Sequence, residues 1–333
     1  MIAKERTIPI RIQKNDALLR RLPKNHSKRA AIEQDQAKRM AGYRGEQSLD
    51  YYVSKLPEKD FIIFHGIRLT DGKYFFQMDT LILSPYFLLI LEVKNFFGTL
   101  FFDPILNQLI QTTQNGEEKG YANPIEQANQ QSRSLKKWLD KINIIAPIDF
   151  LVVISKPSTI IKTPPNNTHI LQKVTHVQFL LSRIEKHKDM YKKEIFPPKE
   201  LKKLTRLILK SHVPEMFDCL KHYEITSDEL ITGVICPNCF SYPVKRHYGT
   251  WFCLSCQYKN KNAHLQAVTD FFLLNKDTPI SNQQFRDFLH LTSADVARKM
   301  LISMNLSSTG TNKGKVYLPP SNYQKISELN RHC

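Results

Sequence analysis

The sequence predicts an α/β protein that carries a small cysteine-knuckle module and a helical tail. Three observations predict it. Gln77 to Phe97, QMDTLILSPYFLLILEVKNFF, holds two apolar runs, Met78–Leu83 and Tyr86–Val93, around the turn-type dipeptide Ser84-Pro85. Patterns of helical period stand on either side of it, at 41–56 and 125–142. Further on, Cys236-Pro237-Asn238-Cys239 and Cys253-Leu254-Ser255-Cys256 form two C-x2-C knuckles thirteen residues apart.

The first stretch reads as a β-hairpin. Side chains alternate across a strand, so Gln77, Asp79 and Leu81 share one face of the first run. On the second run Leu88, Ile90, Glu92 and Lys94 share a face, while Leu89, Leu91 and Val93 point the other way. Glu92 and Lys94 therefore project together from the end of an otherwise apolar strand, and hairpin pairing sets Asp79 beside them. Two carboxylates converging at a sheet edge form a hard oxygen site suited to Mg2+ or Mn2+. A metal in such a site activates water and neutralises charge on a phosphate in transit. A lysine there can hold the attacking water or steady the developing negative charge. The competing reading is a plain ion pair of Glu92 with Lys94, both reaching solvent as the strand ends.

Upstream, AGYRGEQSLDYYVSKL at 41–56 sets Gly42, Glu46, Leu49, Val53 and Leu56 on one helix face. Glu46 is then an acid on the buried stripe, where a carboxylate is costly unless paired or metal-bound. The alternative is a helix-edge glutamate whose head reaches water. Downstream, Asn123-Pro124 reads as an N-cap followed by Pro at the first helical position, with Gln127 in the first turn. Gly45-Glu46, Asp79, Glu92-Val93-Lys94-Asn95 and Asn123-Pro124 with Gln127 together resemble the nuclease-related domain, NERD, a family within the PD-(D/E)xK fold. The resemblance spans about residues 40–155. It implies a restriction-endonuclease-like mixed β-sheet flanked by helices and a site of metal-dependent nuclease type. In that site Glu46, Asp79 and Glu92 bind Mg2+ or Mn2+, Lys94 orients water, and Gln127 orients the site. Met78 stands where the pattern has a proline before its acid, a departure the fold tolerates. Without the resemblance, Gln127 reads as a solvent-facing helix glutamine.

Of 333 residues, 48 are Lys or Arg and 31 are Asp or Glu, a formal net charge of +17. Such an excess favours a polyanionic partner, nucleic acid first, although net charge by itself also serves solubility. The length suggests two or three domains, and 41% hydrophobic residues are ample for packed cores. No apolar stretch reaches the ~18 residues of a membrane span, so no membrane partner is expected. The N-terminal MIAKERTIPIRIQK scatters its charges and lacks an apolar signal core. A cytoplasmic protein is expected, in line with six cysteines of which four take metal spacing rather than a disulfide framework.

In chain order, 1–40 is expected as a basic arm, with eleven Lys/Arg against four Asp/Glu. It holds a short helical turn at Ala17–Leu22, and Ser27 caps a helix that runs on to Leu56. The NERD-like domain takes 41–155. Its strands are Phe61–Arg68, the hairpin, a short strand after a turn or bulge at Gly98, and Gln108–Thr113. The helix Ile125–Ile142 follows, and then Ile148–Ile154, a buried strand that closes the core sheet. Residues 156–230 read as a helical connector: loop to 170, a helix candidate at Val174–Ile184, and a basic amphipathic helix within Arg183–Lys210 interrupted at Pro197-Pro198. Leu201, Leu204, Leu207 and Ile208 form its stripe. Such a helix suits a nucleic-acid backbone or an ordinary surface.

The knuckles occupy 231–262. Four thiolates at this spacing close a tetrahedral shell around Zn2+, which makes the site structural; the segment resembles a zinc ribbon. Lys245, Arg246 and Trp251, with His247 and Tyr248, form a basic-aromatic strand pair suited to stacking on bases and holding phosphate. The alternative is that Trp251 and Phe252 cover the ribbon's own core. Cys219 reads as core, and Cys333 is left over. In 263–333, helices Leu265–Asn275, Ser281–His290 and Ala294–Asn305 precede a hairpin, a winged-helix-like order. Arg298 and Lys299 are its candidate readers, and Lys313 and Lys315 lie on the wing; a packing or partner-binding module is the alternative. The whole reads as a metal-dependent nuclease hydrolysing phosphodiester bonds, DNA foremost. The alternative is a non-cleaving nucleic-acid-binding, regulatory or scaffold protein on a nuclease-derived core, with a homo-oligomer or protein partner left open.

Overall fold

The computed structural model describes residues 1–165 and 167–320. The chain begins with β1 (Ile2–Lys4), α1 (Ile10–Arg21), α2 (Arg29–Gln47) and α3 (Asp50–Val53). There follow β2 (Ile62–Thr70), β3 (Phe75–Leu83), β4 (Leu88–Lys94), β5 (Thr99–Asp103), β6 (Gln108–Thr112), β7 (Glu118–Ala122), α4 (Pro124–Asp140) and β8 (Ile148–Ile154). Next come β9 (Ile160–Lys162), α5 (Thr168–Lys173), β10 (Val174–His176), α6 (Leu180–Met190), α7 (Pro198–Lys210) and α8 (Cys219–Tyr223). The last described elements are β11 (Lys245–His247), β12 (Thr250–Phe252), β13 (Lys259–Asn260), α9 (His264–Leu274), β14 (Ile280–Ser281), α10 (Asn282–Leu289), α11 (Ala294–Ser303), β15 (Ser308–Thr309) and β16 (Val316–Tyr317). Two compact units result: Met1–Ile8 with Lys38–Glu215, and Pro9–Ala37 with the described residues from Met216 onward.

The first unit is built on a six-stranded mixed sheet of order β1-β2-β3-β4-β8-β10. The β3–β4 hairpin pairs Thr80 with Leu91 and Leu83 with Leu88, a register that sets Asp79 opposite Glu92 one step further on. β4 and β8 run parallel, from Leu88 beside Ile148 to Lys94 beside Ile154, and α4 makes the crossover. The alternation expected of the hairpin places its two faces in separate cores. Leu81, Leu83, Leu88 and Ile90 pack with Ile125, Ala128, Leu135 and Trp138 of α4 and with Leu204 and Ile208 of α7. Ile82, Leu89, Leu91 and Val93 pack with Leu49, Val53 and Leu56 and with Leu180 and Ile184 of α6. Helices thus flank the sheet on both faces. A second sheet, order β7-β6-β5-β9, follows the end of β4.

Several elements differ from expectation. The helix expected to reach Leu56 stops at Gln47, where the chain tightens: the Gly45 carbonyl accepts both the Ser48 hydroxyl at 2.6 Å and the Ser48 N–H at 3.2 Å, and the Leu49 N–H reaches back three residues to Glu46. The helical turn at Ala17–Leu22 is the end of the twelve-residue α1. Phe61–Arg68 is not the first strand, because β1 precedes it and pairs with it in parallel. Val174–Ile184 is not a continuous helix: Val174–His176 pairs in parallel with β8, whose flanking position passes to β10. Val174 and Thr175 are β-branched, which favours the strand. β7, β9 and α5 lie where loop was expected.

In the second unit one core gathers Ala17, Leu18, Leu22 and Ile32 with Cys219, Tyr223 and Leu273, so Cys219 is the core residue expected. Another gathers Val234, Val244 and Trp251 with Val268 and Phe272 of α9, Phe285 and Leu289 of α10, Leu301 of α11 and Tyr317. Asp270, fully buried, accepts from Arg21 Nε at 2.9 Å and from Arg20 Nη2 at 2.8 Å. The three ribbon strands pair in the order β11-β12-β13. In the tail, Ser281 and Ser293 cap α10 and α11 as expected, and β16 pairs with both β15 and β14. The side chain of Lys313 and all of Cys333 lie outside the described residues. Among the described residues, no helix is long and apolar enough to cross a membrane.

Candidate active site and cysteine cluster

The site forms at the edge where β4 ends. Asp79 Oδ2 accepts the Val93 backbone N–H at 2.9 Å, which ties the acid to β4 beside Glu92. Glu92 is 2% exposed, and a carboxylate this deep needs partners. It has three. Lys94 Nζ and Gln127 Nε2 donate to Oε1 at 2.8 and 2.7 Å, and Gln131 Nε2 donates to Oε2 at 2.8 Å. Lys94 also donates to Gln127 Oε1 at 2.9 Å. Glu92, Lys94 and Gln127 therefore close a triangle of hydrogen bonds. The two glutamines sit one turn apart on α4, whose start is set by Asn123 Oδ1 accepting the Ile125 N–H at 3.0 Å.

Glu46 arrives on the last turn of α2, which approaches the same edge through Gly45. A Cβ on Gly45 would lie 2.5 Å from the Cβ of Asn95, so a glycine is what lets the helix come this near. Asn95 then holds it: Nδ2 donates to the Ala41 carbonyl at 2.6 Å, while Oδ1 accepts from Ser155 Oγ at 2.9 Å. Glu46 Oε2 accepts from Arg6 Nη1 at 2.7 Å.

These acids share one field. Burial pushes Asp79 well above the usual carboxylate range, the charges of Glu92 and Glu46 push the same way, and the Val93 N–H and Lys94 oppose. Burial likewise raises Glu46, with Arg6 opposing and Glu92 adding to the rise. Carboxylates that raise one another are relieved by a proton or by a cation. The donors present fit a hard divalent ion. Asp79 Oδ1 and Glu46 Oε1 accept no hydrogen bond among the described residues, and Gln131 Oε1 is buried beside Glu92 without a partner. Among the described residues, the carboxylate oxygens of the three acids do not all lie within 4.8 Å of one another.

Residues 41–155 match the nuclease-related domain, NERD. That span takes in Glu46, Asp79, Glu92, Lys94 and Gln127, which the fold brings to the end of β4. Comparisons with curated proteins and with solved structures found no match. The NERD match points to a nuclease-related function and to nucleic acid as the partner. Gln131, Arg6 and Ser155 were not singled out for roles from sequence. The spacing of Gln131 one turn after Gln127 was visible; nothing in the sequence marked Arg6, which lies outside the NERD span and is delivered by β1.

In the ribbon, Cys236, Cys239, Cys253 and Cys256 place their sulfurs within 4.8 Å of one another. Sγ–Sγ distances of 3.6 Å (Cys236–Cys256) and 3.5 Å (Cys239–Cys253) are far beyond a disulfide. They approach the edge of a tetrahedron with Zn–S bonds of about 2.3 Å, so the cluster could hold a zinc ion. Ser241 Oγ stands 3.0 Å from both Cys239 and Cys253, and its hydrogen bond draws Cys253 down to about 6.

The expected nucleic-acid contacts fall into two groups. Lys245, Arg298 and Lys299 are exposed. Trp251 is not a stacking platform: it is 1% exposed, its indole N–H donates to His264 Nδ1 at 3.2 Å, and its ring fills the core against α9. Arg246 is half-buried, with its guanidinium 5.6 Å over that ring. The aromatics the ribbon does present are Phe240, Tyr242, Tyr258 and, most exposed of them at 95%, Tyr248 at the β11–β12 turn.

Proposed function

We propose that this protein is a metal-dependent nuclease that hydrolyses phosphodiester bonds in nucleic acid, DNA foremost. The observation that supports the reading most is the Glu92–Lys94–Gln127 triangle beside Asp79, inside the NERD match. Asp79 and Glu92, with Glu46 in the same field, would hold Mg2+ or Mn2+. When bound, such an ion supplies an activated water and neutralises phosphate charge. Lys94 has three N–H donors, and Glu92 and Gln127 engage two of them. The third orients the attacking water or meets charge developing on the phosphate. Gln127 fixes Lys94 and Glu92 relative to each other, and Gln131 fixes the second Glu92 oxygen.

The remaining residues serve binding. The four cysteines hold a structural zinc that orders the ribbon. Lys245 and Arg246 on the ribbon, and Arg298 and Lys299 on a winged-helix-like tail, meet the phosphate backbone. A net charge of +17 and no membrane-crossing helix among the described residues fit a cytoplasmic, nucleic-acid-facing protein. The test is substitution: Glu92→Gln and Lys94→Ala should each lower cleavage by at least about 100-fold with an unchanged circular dichroism spectrum. Full cleavage by either folded variant would contradict the assignment. The three hydrogen bonds that Glu92 accepts occupy three of the roughly four acceptor sites of a carboxylate, and the second reading is a nucleic-acid-binding protein in which the remaining site takes up no metal. Retained binding with no cleavage under any divalent metal would select it.

A further inference from the structure

Arg6 is the least anticipated residue of the site. β1 pairs in parallel with β2, Lys4 beside Phe64, and so carries Arg6 toward the buried pair His65 and Thr80, which face each other across β2 and β3. The Arg6 side chain is 5% exposed, and nearly every donor of its fork is used. Nη1 donates to Glu46 Oε2 at 2.7 Å. Nε donates to Asp50 Oδ1 at 3.0 Å and Oδ2 at 3.3 Å. Nη2 donates to His65 Nδ1 at 2.8 Å and Thr80 Oγ1 at 3.2 Å. A guanidinium has no acceptor, so His65 Nδ1 accepts and the ring proton sits on Nε2. Burial, then Arg6 and Lys4, lowers His65 to about 3, so the ring is neutral and adds no charge.

The cluster can then be counted. Glu46, Asp50, Asp79 and Glu92 bring four carboxylates; Arg6, Lys94 and Lys4, which donates to the His65 carbonyl at 2.7 Å, bring three cations. The formal charge of −1 is close to balance with one divalent ion, at +1, whereas two would carry it to +3. Two carboxylates, Glu46 and Asp50, are already bound to a fixed cation.

We propose that Arg6 takes the place of a second metal ion: it engages Glu46 and Asp50, and the site accepts a single divalent cation served by Asp79 and Glu92. This rests on the metal site of the proposed function and names its stoichiometry. Arg6 acts as a positioning residue, since its contacts are to Glu46 and Asp50, which it holds and neutralises beside the cation.

The experiment counts Mn2+ bound to the zinc-loaded full chain, by electron paramagnetic resonance and calorimetry. The wild type should bind one equivalent. Arg6→Met should bind two, because the vacated carboxylates gain a charge to balance. Arg6→Gln, which can still hydrogen-bond to Glu46, gives the same neutral test if Arg6→Met does not fold. Arg6→Lys, which keeps the charge, should stay at one. Two equivalents in the wild type, or one in both neutral variants, would overturn the inference while leaving the metal site standing. No Mn2+ bound by the wild type would overturn the metal site and the inference together.

Discussion

Asp149 shows how a single buried charge is held in this fold. It lies near the start of β8, beside Leu89, while the acidic site lies past the other end of β4. Burial opposes its ionised form, but hydrogen bonds from His187 Nε2 at 3.0 Å and from Lys173 outweigh it and bring Asp149 down from 3.8 to about 2. A carboxylate lowered in the folded state adds stability above its ordinary value, and that stability is lost as pH falls from 3.8 through about 2. Asp149→Asn should therefore cost roughly 2–3 kcal/mol at pH 7, with the difference shrinking toward pH 2 in urea unfolding curves. A pH-independent difference would rule out this account of the residue. At the same scale, Glu92 and Lys94 were legible in the sequence because a strand's period of two fixes which side chains leave together. Arg6 and Ser155 were not, because each reaches the site by tertiary pairing that no local pattern encodes. Trp251 was misread for a related reason: an aromatic in a small ribbon has the same local pattern whether it faces a ligand or α9.

The elements divide in the same way. The hairpin, α4 and β8 were legible because each carries a long apolar pattern of one period. β1, β9 and β10 have three residues each, too few for a period to emerge, and β7 is polar and exposed throughout. The break after α2 is one tightened turn at Ser48 and Leu49, where N–H groups bond three residues back, a change too local for a periodic pattern to mark. The approach of α2 to the ends of β4 and β8 depends on Gly45, where a methyl group would collide with Asn95. Gly45→Ala should destabilise the fold by about 1–3 kcal/mol and lower cleavage, since it moves Glu46 off the edge. Wild-type melting and activity in that variant would show that the close packing is not what positions the acid. In the ribbon, the knuckle spacing predicted the cysteine cluster, but not Ser241 beside two of the sulfurs. Ser241→Ala should keep one equivalent of zinc yet release it to a chelator faster, by about tenfold, as loss of a supporting hydrogen bond does elsewhere. Equal release rates would mean that the hydroxyl does not support the thiolates.

At the scale of the whole molecule, the chain resolves into two units with separate cores. One carries the NERD match and the acidic edge; the other carries the cysteine cluster and the exposed Lys245, Arg298 and Lys299. The basic excess of the chain complements a polyanion, and the hard oxygen donors sit in the unit whose family match points to nucleic acid. Both features were legible from composition and motif; the pairing of the site's acids with Arg6 became visible once the sheet order was known. The measurement that tests the central claim most directly is cleavage of single-stranded DNA, double-stranded DNA and RNA with Mg2+ or Mn2+, wild type beside Asp79→Ala. The account predicts metal-dependent cleavage by the wild type and none by Asp79→Ala. Equal cleavage by both, or none by the wild type on any substrate while binding persists, would contradict it.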